Sequence, residues 1–176
     1  REQIVDLVSL AQYHFPELLH SHEDVKTFMD SDGLHIKGRR LTDYDERRPI
    51  AIGRGRAKLL LCSMLDGVKV ILKEFPLQDD MRGYLKEIVN VQRLQHRHII
   101  RYSAVFEDEG SMFIEMEYCS GGSLRQWVQS TSPDATQKQS VLRQVLSAIT
   151  RMHDQGILHC DIKGDNVLIA EDGSAR

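Results

Sequence analysis

The sequence predicts an α+β fold: a five-stranded antiparallel sheet carrying one helix, then a glycine-containing hinge and a mostly helical part. Three observations predict it. Short apolar runs of strand length recur from Pro49 to Cys119, and two pairs of them flank the turn signals Asp66-Gly67 and Asp108-Glu109-Gly110. One stretch of helical period, residues 79–95, interrupts these runs. Beyond Ser120-Gly121-Gly122 the period becomes mainly helical. A sheet joined by a hinge to helices is a two-lobed arrangement, and ligand pockets favour such junctions.

Taken in order, residues 1 to about 30 suggest helix. Ile4, Leu7, Val8 and Ala11 share one face, Pro16 punctuates, and "HEDVKTFM" opens a second short helix with acids in its first turn. "DSDGLHIKGRRLTDYDERR" is polar and predicts a connector. "PIAIG", "AKLLLCSML" and "VKVILKEF" follow as strands. "HIIRYSAVFE" and "SMFIEMEYC" complete the set. "SLRQWVQS" predicts a short helix capped by Ser123. Residues 137–155 form an amphipathic helix with Leu142, Val145, Leu146, Ile149 and Met152 on one side and Gly156 at its end.

Composition narrows the function classes. The 176 residues are 41% hydrophobic and 28% charged, with a formal net charge of −3. That balance points away from nucleic acid and from anionic membranes. No apolar run approaches the roughly 20 residues of a membrane helix. Cys62, Cys119 and Cys160 are far apart and form no CxxC pair, which argues against structural zinc and a disulfide framework. An intracellular, cytoplasmic setting is the expectation.

The chemistry concentrates in His159-Cys160-Asp161-Ile162-Lys163-Gly164-Asp165-Asn166, followed by apolar Val167, Leu168 and Ile169. This run resembles the catalytic loop H-R-D-x-K-x-x-N of eukaryotic-type protein kinases, and the lysine two residues after the aspartate resembles their serine/threonine branch. The likeness extends from about Ile50 to the end. Val70-Ile71-Leu72-Lys73 is similar to the strand whose lysine grips nucleotide phosphates, and Glu87 precedes "RLQHRHII" at the family's spacing. Gly53-Arg54-Gly55 is similar to the phosphate-covering loop, and "MEYCSGGSL" to the segment connecting the lobes.

The resemblance implies a protein-kinase-like fold, with a helical extension and connector at 1–45, a sheet lobe at 46–116, a hinge at 117–122 and the start of a helical lobe at 123–176. It implies ATP and Mg²⁺ as cofactors and a protein hydroxyl as acceptor. Asp161 would take the acceptor's proton, Lys163 would neutralise phosphoryl charge and Asn166 would hold metal. Lys73 and Glu87 would form the ion pair at the phosphates. Ile52, Gly53, Gly55, Leu60, Ile71, Met116, Glu117, Cys119 and Leu168 would line the nucleotide. Met116 would act as gatekeeper, Leu60 as cover and Leu168 as floor. The N-terminal helical segment offers a surface to a regulatory partner.

Four departures bear on this. Cys160 stands where the family has arginine, which puts control by activation-loop phosphorylation in doubt. Ile71 stands where it has a small alanine, and the extra carbons would crowd the adenine. Lys58 stands where it has a third glycine. No D-F-G follows Ile169 before Arg176, so the expectation is a fragment of a longer serine/threonine kinase that is inactive alone. Without partners, the apolar face of the 137–155 helix would favour aggregation or a partner protein. The competing expectation is a pseudokinase or scaffold that binds without phosphoryl transfer.

Overall fold

The computed structural model describes residues 38–52, 58–76 and 94–176, with backbone alone at 51 and 52. The helices expected at 1–30 and 79–95 lie outside these residues, as do Gly53, Gly55 and Glu87. The described chain falls into two compact units, one of 38–52, 58–76 and 102–117, the other of 94–101 and 118–176.

The first unit is a five-stranded antiparallel sheet. Its strands are β1 (Tyr44–Ile52), β2 (Lys58–Met64), β3 (Lys69–Pro76), β4 (Tyr102–Asp108) and β5 (Ser111–Glu117). Their spatial order is β1-β2-β3-β5-β4. The predicted hairpins are present. Gly67 takes φ +82° after Leu65-Asp66, and Met64 N–H donates to the Val68 carbonyl at 2.8 Å, closing the β2–β3 turn. Glu109 and Gly110 both take positive φ, 46° and 72°, as a two-residue turn that matches strand twist requires.

β1 begins earlier than the apolar pattern suggested. Its first half, "YDERR", is polar and belongs to an edge strand with a register shift between Asp45 and Arg48. Edge strands tolerate charge and bulges, so alternation fails to announce them. The boundary expected between 45 and 46 therefore falls inside a strand. Leu41, in a 3-10 turn (Leu41–Asp43), and Tyr44 are buried in one cluster with Cys62, Val70, Leu72, Phe106 and Phe113. Leu41 N–H donates to Asp108 Oδ2 at 2.9 Å, and the Arg39 guanidinium lies 5.8 Å from the centre of the Tyr44 ring. Residues 38–44 are thus part of the sheet's packing rather than a free connector.

The second unit contains α1 (Leu124–Thr131) and α2 (Ala135–Asp154). Ser123 caps α1 as predicted, accepting from Gln126 N–H while the Gln126 side chain accepts from Ser123 N–H. Asp134 and Gln137 repeat the device on α2, so that helix starts two residues before the expected 137. Gly156 ends it with φ +70°. Gly156 N–H donates to the His153 carbonyl and Ile157 N–H to Met152, the paired bonds of a Schellman stop.

The apolar face of α2 is turned differently from the expectation. Val141 and Ala148 are buried, and Val141 joins Val167, Ile169 and Ala175 in a cluster against which Leu124, Trp127 and Val145 pack. Leu142 and Leu146 remain 58% and 53% exposed. The helix is apolar over a wide arc, and Val141 and Val145 are the part that this cluster takes up. No helix among the described residues is long and apolar enough to cross a membrane.

Candidate active site

His159, Lys163 and Asn166 come together around Asp161. Lys163 Nζ lies 3.2 Å from Asp161 Oδ2, and Asn166 Nδ2 donates to the Asp161 carbonyl at 2.8 Å and to Oδ2 at 2.9 Å. The Asp161 N–H donates to His159 Nδ1 at 3.2 Å. Cys160 between them takes φ +59°, a conformation uncommon for a residue with a side chain, and it turns the backbone so that His159 reaches the next amide. A second turn, Asn166 N–H to the Lys163 carbonyl at 2.9 Å, brings the amide back over the carboxylate. The Asp161 side chain is 32% exposed and that of Lys163 43%, so both can meet a molecule from solvent.

Both flanks hold this loop. On the C-terminal side, residues 168–176 form a narrow hairpin: Leu168 and Arg176 exchange backbone bonds of 3.0 and 2.8 Å. On the other side lies the segment predicted as hinge. Gly121 N–H donates to the Ile169 carbonyl at 2.9 Å, Ile169 N–H to Gly122 at 2.8 Å, and Ser123 bridges to Leu168. This approach leaves no room for a side chain at 121. An added Cβ would lie 2.8 Å from the Ile169 carbonyl oxygen and 2.9 Å from its Cβ. Gly121→Ala is therefore expected to destabilise the protein by ~1–3 kcal/mol. The urea midpoint measures this, and an unchanged midpoint would contradict the packing described.

The N-terminus of α1 completes the support. Its first N–H groups have no partners within the helix. Leu124 N–H instead donates to the Val167 carbonyl at 2.7 Å, and Arg125 N–H to Gly164 at 3.1 Å. The Arg125 side chain adds an ion pair, Nε to Asp165 Oδ1 at 2.9 Å. Nothing local in the sequence marks these two residues, 40 positions apart, as neighbours.

In the sheet unit, Lys73 lies on β3, with Nζ 5.1 Å from the centre of the Phe75 ring. Directly opposed residues of antiparallel strands share a face. Lys73 stands opposite Leu59 and Ile114, and Ile71 opposite Leu61 and Met116. Lys73, Ile71 and Met116 are thus on one face. Leu60 is not. It stands opposite Leu72 and packs with the cluster of Cys62, Val70 and Leu72 on the other face. Leu60, expected as the nucleotide's cover, therefore faces away from Lys73, while its neighbours Leu59 and Leu61 share the Lys73 face, since one residue along a strand reverses the side chain's direction.

Lys58 also points away from the Lys73 face, pairing with Glu74 at 3.6 Å. A cavity of about 380 Å³ lined by Leu41, Arg47, Leu60, Glu74, Glu109, Ser111 and Phe113 opens on that opposite face, away from Lys73. The remaining assigned positions are placed as follows. Ile52 ends β1, Met116 and Glu117 end β5, Cys119 is buried just beyond, and Leu168 is partly buried beside Ser123.

The residues fit the cofactors that the likeness implies. Asn166 directs its amide nitrogen to Asp161, which leaves its oxygen as the atom suited to a hard cation. Among the described residues no group of three or more His, Cys, Asp or Glu could hold a metal. A Mg²⁺ ion carried in by phosphate oxygens suits that donor set, because Mg²⁺ needs only one or two protein ligands. The Lys73 face offers apolar Ile71 and Leu61 beside the Lys73 ammonium group, which suits a purine ring followed by phosphates.

The comparisons with known proteins agree with this geometry. The model of the protein kinase domain family matches residues 51–176. A probable serine/threonine-protein kinase of Dictyostelium discoideum is 29% identical over 158 residues, covering 83% of this chain and 17% of its own length. The probable serine/threonine-protein kinase zyg-1 of Caenorhabditis briggsae is 30% identical over 135 residues, 76% of this chain and 19% of its own. Maternal embryonic leucine zipper kinase of Xenopus laevis is 34% identical over 138 residues, 76% of this chain and 21% of its own. The chain thus spans about a fifth of the length of these relatives. A sheet with this register, a hairpin-flanked Asp161 loop and the match over 51–176 lead to one assignment: the chain belongs to the protein kinase domain family.

Proposed function

We propose that the full-length protein is a serine/threonine protein kinase and that this chain supplies its phosphate-handling sheet and catalytic loop. The observation that carries the proposal is the set of bonds joining Asp161, Lys163 and Asn166. Bound MgATP would supply the γ-phosphoryl group. Asp161 would orient the acceptor hydroxyl and accept its proton. Lys163, already beside Asp161, would balance negative charge on the transferred group. Asn166 would ligate Mg²⁺ through its amide oxygen. Lys73, with Glu87 as its ion-pair partner, would hold the nucleotide phosphates, and the backbone at Gly53 and Gly55 would approach them. The Glu117 carbonyl and Cys119 N–H would receive the adenine edge, with Leu168 below it. The acceptor would be a protein, the setting intracellular, and residues 1–45 would meet a regulatory partner.

A second reading rests on Ile71. It stands on the Lys73 face opposite both Leu61 and Met116, where the family has a small alanine, and its extra carbons would crowd an adenine ring. Under that reading the protein binds partners without transferring phosphate. Thermal unfolding of the full-length protein with and without MgATP separates the two. Nucleotide at a hundredfold excess over Kd stabilises by about 2.7 kcal/mol, a rise of several degrees in Tm. The kinase reading predicts that rise, and predicts its loss in Lys73→Met. No rise at millimolar MgATP favours the binding module.

A further inference from the structure

We propose that Arg125 is a positioning residue for phosphoryl transfer, acting on Asp161 through Asp165 and Asn166. The inference rests on the reading of Asp161 as the proton acceptor. Arg125 is the second residue of α1, 36 positions before Asp161 in the sequence, and it touches the catalytic loop twice. Its N–H donates to the Gly164 carbonyl at 3.1 Å, and its Nε lies 2.9 Å from Asp165 Oδ1. Asp165 directly precedes Asn166, whose amide fixes both the carbonyl and the carboxylate of Asp161. A continuous series of bonds therefore runs from a capped helix to the carboxylate.

The side chains of Arg125 and Asp165 are 62% and 47% exposed. Ion pairs this open contribute little to global stability. What this one supplies is geometric: it restricts the 163–166 turn from a rigid element outside the loop. Catalytic groups must be held within a fraction of an ångström, and a displacement of about 1 Å at a reacting centre can cost ~100-fold in rate. The backbone bond from residue 125 survives any substitution but proline. Loss of the side chain should therefore loosen the loop rather than release it.

The test uses the full-length protein with Arg125→Ala, Arg125→Lys and the exchanged pair Arg125→Asp with Asp165→Arg. In Arg125→Ala, kcat is expected to fall about five- to tenfold, with KM for ATP within about twofold of the parent. Tm should stay unchanged, and amide hydrogens of 161–168 should exchange faster. Arg125→Lys and the exchanged pair should each recover part of kcat. Raising salt from about 0.05 to 0.5 M should slow the parent more than Arg125→Ala, because an exposed pair is screened. An active parent with unchanged kcat and unchanged exchange in Arg125→Ala overturns the proposal and leaves the kinase reading standing. A fall in kcat matched by a fall in Tm overturns it in favour of a structural role. A parent that transfers no phosphate defeats the kinase reading and this inference with it.

Discussion

Asp161→Asn in the full-length protein is expected to lower phosphoryl transfer by roughly 100- to 10,000-fold while leaving the fold intact. Lys163 and Asn166 both meet the carboxylate at Oδ2, and the Asn166 amide also donates to the Asp161 backbone carbonyl. Asparagine keeps the size of the side chain and an oxygen that can still accept from Asn166. It removes the charge opposite Lys163 and the ability to accept a proton. Because both side chains are partly exposed, loss of this ion pair should move Tm little. Initial rates with labelled ATP, measured beside a thermal melt, check both halves. A variant as fast as the parent would remove Asp161 from the mechanism.

Tyr44→Phe is expected to destabilise the sheet unit by ~1–3 kcal/mol, and Leu41→Ala by ~2–5 kcal/mol. Glu115 is 4% exposed, and its two carboxylate oxygens accept from the Tyr44 hydroxyl and the Ser103 hydroxyl. Phenylalanine keeps the ring stacked on Phe106, with centroids 5.7 Å apart, and deletes only the donor. A buried carboxylate oxygen is then left without its bond. Burial and the bond to Glu115 hold the Tyr44 hydroxyl well above the usual tyrosine range, so it stays protonated in the folded state. The unfolded chain loses that proton above about pH 10. Stability from this group is therefore complete below that pH and declines as pH rises through it. Denaturant midpoints at neutral and alkaline pH test the assignment. Tyr44→Phe should show a lower neutral midpoint and a weaker alkaline decline. Equal midpoints for parent and variant would mean that the Tyr44–Glu115 bond contributes nothing to the stability of the sheet.

The parts of the fold and site legible in the sequence are those with local causes. The Asp66-Gly67 and Glu109-Gly110 turns, the Ser123 cap and the Gly156 stop are each set by residues within a few positions, and each is present. The same holds for the Asp161 loop, whose polar residues lie at short offsets and close on one another. The misreadings have longer-range causes. Leu60 falls on the face away from Lys73 because strand register depends on pairing with β3, and one residue reverses the face. Leu41 and Tyr44 sit in a polar stretch, and what makes them core lies outside it: Cys62, Val70 and Leu72 on the next two strands, and Phe106, Asp108, Phe113 and Glu115 more than sixty positions away. The inward stripe of α2 is chosen by Val167 and Ile169, not by the helix's own pattern. Arg125 was missed because its partner Asp165 belongs to a different element.

The central claim is that the Asp161 loop serves transfer to serine or threonine. Its most direct test incubates the full-length protein with Mg²⁺, γ-labelled ATP and a peptide pool containing serine, threonine and tyrosine. Phosphoamino-acid analysis follows, with Asp161→Asn in parallel. The account predicts label on serine and threonine that disappears in the variant. Label on tyrosine alone, label that persists in Asp161→Asn, or none with the parent would contradict it.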